Sequence, residues 1–186
     1  MKFLFDFVLS FVLSAVFLLP MIVIAISIKA TSRGPILHWS ERVGKDKVIF
    51  KMPKFRTMKT HTPQLATHLL ENPESFYTYI GSFLRKWSLD ELPQLISIMK
   101  GQMSFVGPRP ALFNQEDLIN LRTKEDLINL KPGLTGWAQV NGRDDLSIEV
   151  KVNFEKEYLQ RKSFFFDLYI LWLTLLKTFR RDGISH

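Results

Sequence analysis

From Phe7 to Ile28 the chain carries no charged side chain: "FVLSFVLSAVFLLPMIVIAISI". At ~1.5 Å of helical rise per residue, that run is just long enough to cross a bilayer core of ~30 Å. A cleaved signal peptide fits poorly, because Asp6 stands where a basic n-region belongs and the apolar run is too long. Pro20 lies inside the run, where it removes a helical hydrogen bond and disfavours helical geometry at Leu19. A kinked span and a re-entrant helix returning to the same face both satisfy this pattern. Lys29, Arg33, Arg42, Lys45 and Lys47 follow directly, so the positive-inside rule puts the body in the cytoplasm. Lys2 and Asp6 nearly cancel and do not place the N-terminus.

The other end, "SFFFDLYILWLTLLKTFRR" from Ser163 to Arg181, has helical amphipathicity. At ~100° per residue, Asp167, Thr174, Lys177, Thr178 and Arg181 fall in one narrow wedge. Phe165, Leu168, Tyr169, Trp172, Leu175, Leu176 and Phe179 fill the opposite arc. With Trp, Tyr and basic residues at its edges, the segment reads as a helix in the membrane interface. An ordinary core helix is the alternative.

The length of 186 residues suits one compact domain. A formal charge of +7 and a pI near 9.7 call for a polyanionic partner. Nucleic acid, an anionic bilayer and nucleotide phosphates all qualify on charge, but no aromatic-and-basic motif supports nucleic acid. The absence of cysteine excludes disulfides and thiolate metal sites, and the four histidines show no ligand spacing. Between the two ends, Gly34 to Met52 has two apolar runs around polar "ERVGKDK", the pattern of a β-hairpin. "KFRTMKTHTPQ" reads as a basic loop, and "IGSFLRK" as a short helix ending in two cations. "EDLINL" occurs at 116–121 and 125–130, an offset that puts the copies on opposite faces of a helix. Two Pro/Gly-rich loops, "SFVGPRPAL" and "KPGLTGWAQVNGRDD", each hold an arginine on a stiffened backbone, which favours bidentate phosphate recognition.

"WSLDELPQLISIMKGQ" sets Asp90 and Glu91 side by side ahead of Pro93. Ser88 and Glu91 match the S-x-x-E capping box, but with Ser88 as cap Pro93 falls too deep in the helix. A start at Leu89 or Asp90 accommodates the proline and puts Asp90 at a helix mouth, where the dipole keeps a carboxylate ionised. Leu92, Leu95, Ile96 and Met99 form an anchoring stripe, and Lys100-Gly101 ends the helix. Capping needs one carboxylate, not two. An ionised aspartate near arginines can attack phosphorus, and two adjacent acids can share Mg²⁺ with substrate phosphates.

In order, "ERVG", "KFRTM", "LRKWSLDELPQL", "GQMSFVGPRP" and "PGLTGWAQVNGR", between the two apolar ends, resemble the small monotopic phosphoglycosyl transferases over nearly the whole chain. These bacterial enzymes start glycan assembly on a polyprenyl lipid. The resemblance implies a mainly α fold with a small β-hairpin or sheet (α+β), a re-entrant helix over 1–30, a cytosolic catalytic body over 31–162 and an interfacial helix over 163–186. Leu19-Pro20 stands where the family has Ser-Pro. The implied reaction moves a phospho-sugar from a UDP-sugar to polyprenyl phosphate, releases UMP and uses Mg²⁺, on the cytoplasmic face of an anionic bacterial membrane. It further implies Asp90 as nucleophile, Glu91 as its partner in Mg²⁺ or proton handling, and Arg85 and Arg109 on phosphate oxygens. Gln139, Gly142 and Arg143 match a Gln-x-x-Gly-Arg motif associated with the uridine nucleotide. A membrane-bound Mg²⁺-dependent phosphohydrolase is the rival enzyme reading, and a membrane-anchored scaffold the non-enzymatic one. The sugar is not legible, and a homodimer is left open.

Overall fold

The computed structural model describes residues 2–63, 72–142 and 145–180. The N-terminal run forms two helices, α1 (Lys2–Val16) and α2 (Leu18–Thr31), bent by 60° at Phe17. Pro20 is the third residue of α2, in the first turn, where backbone N–H groups have no intrahelical partner. The break therefore falls ahead of the proline, and Leu19 is helical. The carbonyl with which the Pro20 ring clashes in a continuous helix belongs to Val16, where α1 ends. Among the described residues, no single helix is long and apolar enough to cross a membrane.

Both helices expose large apolar side chains, and α1 also buries polar ones. The residues that α1 buries are Asp6 and Ser10, while Phe3, Leu4, Val8, Phe11 and Val16 face outward. On α2, Leu19 is 70% exposed, and Ile24 and Ile28 turn inward against Phe55 and Leu84. The body holds each end of the pair. Lys2 donates to Asp167 Oδ2 (2.5 Å), the Val106 carbonyl (3.0 Å) and the Tyr158 hydroxyl (3.1 Å). Asp6 accepts from the Phe105 N–H at 3.3 Å. Lys2 and Asp6 thus serve as separate tethers to the body. At the far end, Arg56 donates to the Ser32 hydroxyl (2.6 Å), the Ser32 carbonyl (3.0 Å) and the Arg33 carbonyl (2.6 Å).

The expected hairpin is present: β1 (Leu37–Val43) pairs antiparallel with β2 (Ile49–Phe55) around a turn at 44–48. Glu41–Val43 belong to the strand, so the turn is shorter than the polar stretch. The start of the "KFRTM" stretch is strand as well, since Lys54 and Phe55 close β2. After α3 (Gly81–Lys86), a 3₁₀ turn over Leu89–Gln94 leads into α4 (Leu95–Met99). The Gly-rich loops conceal a two-stranded parallel sheet of β3 (Ser104–Val106) and β5 (Gly133–Thr135). Between them, β4 (Ala111–Leu112) adds to β1 as the third strand of the hairpin sheet. Two- and three-residue strands are too short to show a period in the sequence.

The first "EDLINL" lies in α5 (Glu116–Lys124), but the second is not helical. Asp126 takes a left-handed conformation (φ 55°), which lets Leu127 and Leu130 drop into the core from a 3₁₀ turn. The expectation of one helix carrying both copies is corrected. After α6 (Trp137–Val140), α7 (Ile148–Arg161) starts at a Ser147 cap and buries Val152, Glu155 and Tyr158.

The C-terminal helix is α8 (Phe164–Arg180). Its polar wedge points inward: Asp167 is buried against Lys2 and Tyr158, and the Thr174 hydroxyl lies 2.7 Å from that of Thr135. Phe166 and Ile170 flank the wedge in the core, while Phe165 (81% exposed), Leu168, Tyr169, Trp172 and Leu175 face outward. Arg181 and the Phe179 side chain lie outside the described residues.

Candidate active site

The acidic pair sits on the 3₁₀ turn, not at an α-helix mouth. Ser88, in the left-handed region (φ 53°), starts the turn and makes no side-chain capping bond, so the capping box is not formed. Ser88 nonetheless occupies the cap position, and Pro93 lies inside the turn as its fifth residue, so the expectation that the proline shifts the start away from a Ser88 cap is corrected. The short 3₁₀ turn forgoes the one bond that the missing N–H would make. Tighter winding, three residues per turn, also changes which side chains face in. Leu95 and Ile98 are buried and Leu92 half-buried, whereas Ile96, expected in the stripe, is 41% exposed. Gly101, at φ 72°, ends α4 as expected.

The turn packs against β2. There Asp90 is buried, and Glu91 accepts from Lys54 Nζ at 2.7 Å. Burial pushes the Asp90 carboxyl up from the ordinary carboxylate range, and Glu91 adds to the rise, while Lys54 and Arg85 pull it down. The expectation that a helix dipole holds Asp90 ionised gives way to this balance, in which the nearby cations oppose desolvation. Arg85, in the last turn of α3, donates from Nε to Thr57 Oγ1 (3.1 Å) and from Nη1 to the Tyr77 hydroxyl (3.3 Å), its guanidinium 5.3 Å from the Tyr77 ring centre.

Beside Glu91 lies a small open cleft, lined by Arg42, Lys54, Glu91, Gln94, Arg109 and Pro110, with Met52, Gly133 and Leu134; Asp90 is buried next to it and does not line it. Arg42 reaches it from β1, donating to Ser40 Oγ and to the Pro110 carbonyl, both at 3.0 Å. Burial and the like charge of Arg109 push the Arg42 guanidinium down to about 10, against Glu91, which raises it. His38, opposite Lys54 in the hairpin register, is pushed down by burial and by Lys54, Arg42 and Arg85. Arg42, Lys54 and Arg109 around one small cleft suit a polyanionic ligand.

Asp90, Glu91, Arg85 and Arg109 are therefore brought to one neighbourhood. Gln139 and Gly142 do not line the cleft, and Arg143 lies outside the described residues. Gln139 is on α6, where both polar atoms of its amide are buried without a hydrogen-bond partner. Gly142 has φ 151° and no room for a Cβ over Leu146. Sequence reasoning used Arg42 only for topology and gave Lys54 no role. A signal for Lys54 was available: it is a lone charge between apolar Pro53 and Phe55, where a strand meets the core. Among the described residues, no group of three carboxylate or histidine side chains is arranged to hold a metal. Mg²⁺ ordinarily takes one or two carboxylates and fills its other positions with substrate phosphates and water; of the adjacent pair here, Asp90 is buried and Glu91 is engaged by Lys54.

If Asp90 must be ionised to act, activity falls as pH drops through its raised pKa, so the acid limb of kcat/KM lies above the ~3.9 of a free aspartate. Lys54→Met removes the largest influence lowering that pKa. The limb then moves to higher pH, and kcat/KM at neutral pH falls about 10-fold or more. A pH–rate profile of the two proteins checks both.

Fold and site together define a mostly helical α+β protein with outward-facing apolar side chains on its terminal helices and a cationic cleft lined by Glu91, next to the buried Asp90. The family model described as bacterial sugar transferase matches residues 1–181, and the chain belongs to that family. It is similar to the UDP-glucose:undecaprenyl-phosphate glucose-1-phosphate transferase of Escherichia coli K12, 41% identical over 164 residues, which are 84% of this chain and 35% of that protein. The undecaprenyl-phosphate galactose phosphotransferase of Salmonella typhimurium is 34% identical over 168 residues, 81% of this chain and 34% of that protein. The exopolysaccharide production protein ExoY of Sinorhizobium fredii is 34% identical over 184 residues, 90% of this chain and 81% of that protein. The chain thus spans about a third of the length of the first two and most of the third.

Proposed function

We propose that this protein transfers a phospho-sugar from a UDP-sugar to polyprenyl phosphate at the cytoplasmic face of a bacterial membrane, releasing UMP. The observation that carries the reading is the buried Asp90, beside the Lys54–Glu91 pair and a cleft walled by Arg42 and Arg109. In the first step an Asp90 oxygen attacks the sugar-linked phosphorus. The bond to the bridging oxygen breaks, UMP leaves with the electron pair, and an aspartyl phospho-sugar remains. In the second, an oxygen of polyprenyl phosphate attacks the same phosphorus, the Asp90–phosphorus bond breaks, and the carboxylate is regenerated with a polyprenyl diphospho-sugar as product.

Arg109 and Arg42 hold phosphate oxygens as charge shifts to the leaving group, and Arg85 stands near Asp90 on its Thr57 and Tyr77 supports. Asp90 and Glu91 would be the residues to hold Mg²⁺, which when bound would supply charge neutralisation at phosphorus. Gln139, Gly142 and Arg143 are assigned to the uridine nucleotide on the family resemblance, and the unpartnered Gln139 amide supports a ligand there. The outward apolar faces of α1, α2 and α8 support a monotopic seat in the bilayer, where a lipid acceptor resides.

The test is acceptor dependence. Purified protein in detergent, given Mg²⁺ and a panel of UDP-sugars, turns over UMP only when polyprenyl phosphate is added. Product formed equally fast without the lipid makes the protein a phosphohydrolase.

A further inference from the structure

All three carbonyls of the Pro108-Arg109-Pro110 loop are taken, each by a different element. The Gly133 N–H of β5 donates to Pro108 at 2.8 Å, Arg122 Nη2 of α5 to Arg109 at 3.0 Å, and Arg42 Nη1 of β1 to Pro110 at 3.0 Å. Arg42 also lines the cleft, but Arg122 does not. Instead Arg122 is buried behind the loop, in a bidentate pair with Glu155 of α7: Nε to Oε2 at 2.8 Å and Nη2 to Oε1 at 2.5 Å.

A buried ion pair is poor evidence of stabilisation, because two desolvated charges offset most of their attraction, and apolar residues of the same volume often do as well. Apolar residues could not supply the third bond. Glu155 orients the guanidinium plane, which leaves Nη2 aimed at the Arg109 carbonyl, and lysine lacks that planar fork. With prolines on both sides restricting its backbone, Arg109 has few ways to move once its own carbonyl is held.

We infer that Arg122 and Glu155 are positioning residues for Arg109, a device that acts on the cleft from the core side. The inference rests on the phosphate-binding role proposed for Arg109.

A double-mutant cycle tests it. Glu155→Gln lowers kcat/KM for UMP formation about 10-fold in the wild-type background and less than about 2-fold in Arg109→Ala, because the residue it orients is gone. Arg122→Lys, which keeps a cation for Glu155, gives the same pattern. The cycle is repeated as the Kd for UDP in Asp90→Asn protein, so that it does not depend on residual turnover. Thermal unfolding in detergent is followed for every variant. Equal losses in both backgrounds, or no loss in the wild-type background, overturn the assignment. Loss of the cooperative transition in both Glu155→Gln and Arg122→Lys makes the pair a folding element and overturns it too. A wild-type protein that forms no UMP from any UDP-sugar sinks the parent reading instead, which keeps the two failures apart.

Discussion

Asp90→Asn lowers UMP formation by at least about 10³-fold, the scale expected when a covalent nucleophile is removed. Asparagine keeps the shape of the side chain and removes the anion, so the Leu89–Gln94 turn and its packing on β2 persist. Intact-protein mass spectrometry without the lipid acceptor gives the sharper result: a phospho-sugar adduct on the wild type and none on the variant. Full activity in the variant rules out Asp90 as nucleophile. Stability moves the other way. Because burial raises the Asp90 pKa, folding disfavours its ionised form, and the wild type gains stability as pH falls through that pKa. Asparagine has no such charge, so at neutral pH the variant melts at the same temperature or a few degrees higher, about 2–4 °C per kcal/mol for a chain of this size.

The second large effect is one of sidedness. Labels on cysteines added ahead of Met1 and after His186 react only from the cytoplasmic side, an all-or-none outcome in intact cells against inverted vesicles. The chain has no cysteine of its own, so the background is nil. The physical case lies in the tethers. Lys2, at the start of α1, is bound by Asp167, Tyr158 and Val106, and the end of α2 is bound by Arg56. Both ends of the bent pair are thus fastened to the same body. A spanning arrangement breaks the Lys2 bonds and carries the buried Asp6 away from the Phe105 N–H. Each limb, of 15 and 14 residues, is also shorter than the ~30 Å core at ~1.5 Å per residue. Labelling of the N-terminus from outside makes the segment a true span.

Local pattern made much of this legible. The charge-free run, the hairpin and the C-terminal amphipathic helix are visible because each is written in consecutive residues at a period of 2 or 3.6. Pro93 argues against a Ser88 cap, yet Ser88 precedes the turn and the proline sits inside it, because a short 3₁₀ turn packed on β2 tolerates the missing N–H. The short strands β3 and β5 were not legible, and α7 was obscured because Glu155 interrupts its buried stripe. The identical "EDLINL" segments show the limit most directly: one is helix and the other a turn, and what differs lies outside the six residues, since Arg122–Lys124 extends the first as helix whereas Lys131-Pro132-Gly133 follows the second.

By itself, the sequence determined that the chain has two strongly apolar ends, a basic body and an acidic pair before a proline. Only the tertiary structure decided that the polar wedge of α8 faces inward and its apolar arc outward, since amphipathicity defines two faces without saying which one meets the core. It also decided the company of Asp90. Lys54 and Glu91 are 37 residues apart in the chain and 2.7 Å apart in space. The Arg42 and Arg122 bonds to the Pro-Arg-Pro loop likewise join residues 68 and 13 apart. Electrostatics falls off with distance through space, and no periodicity along the chain encodes that distance.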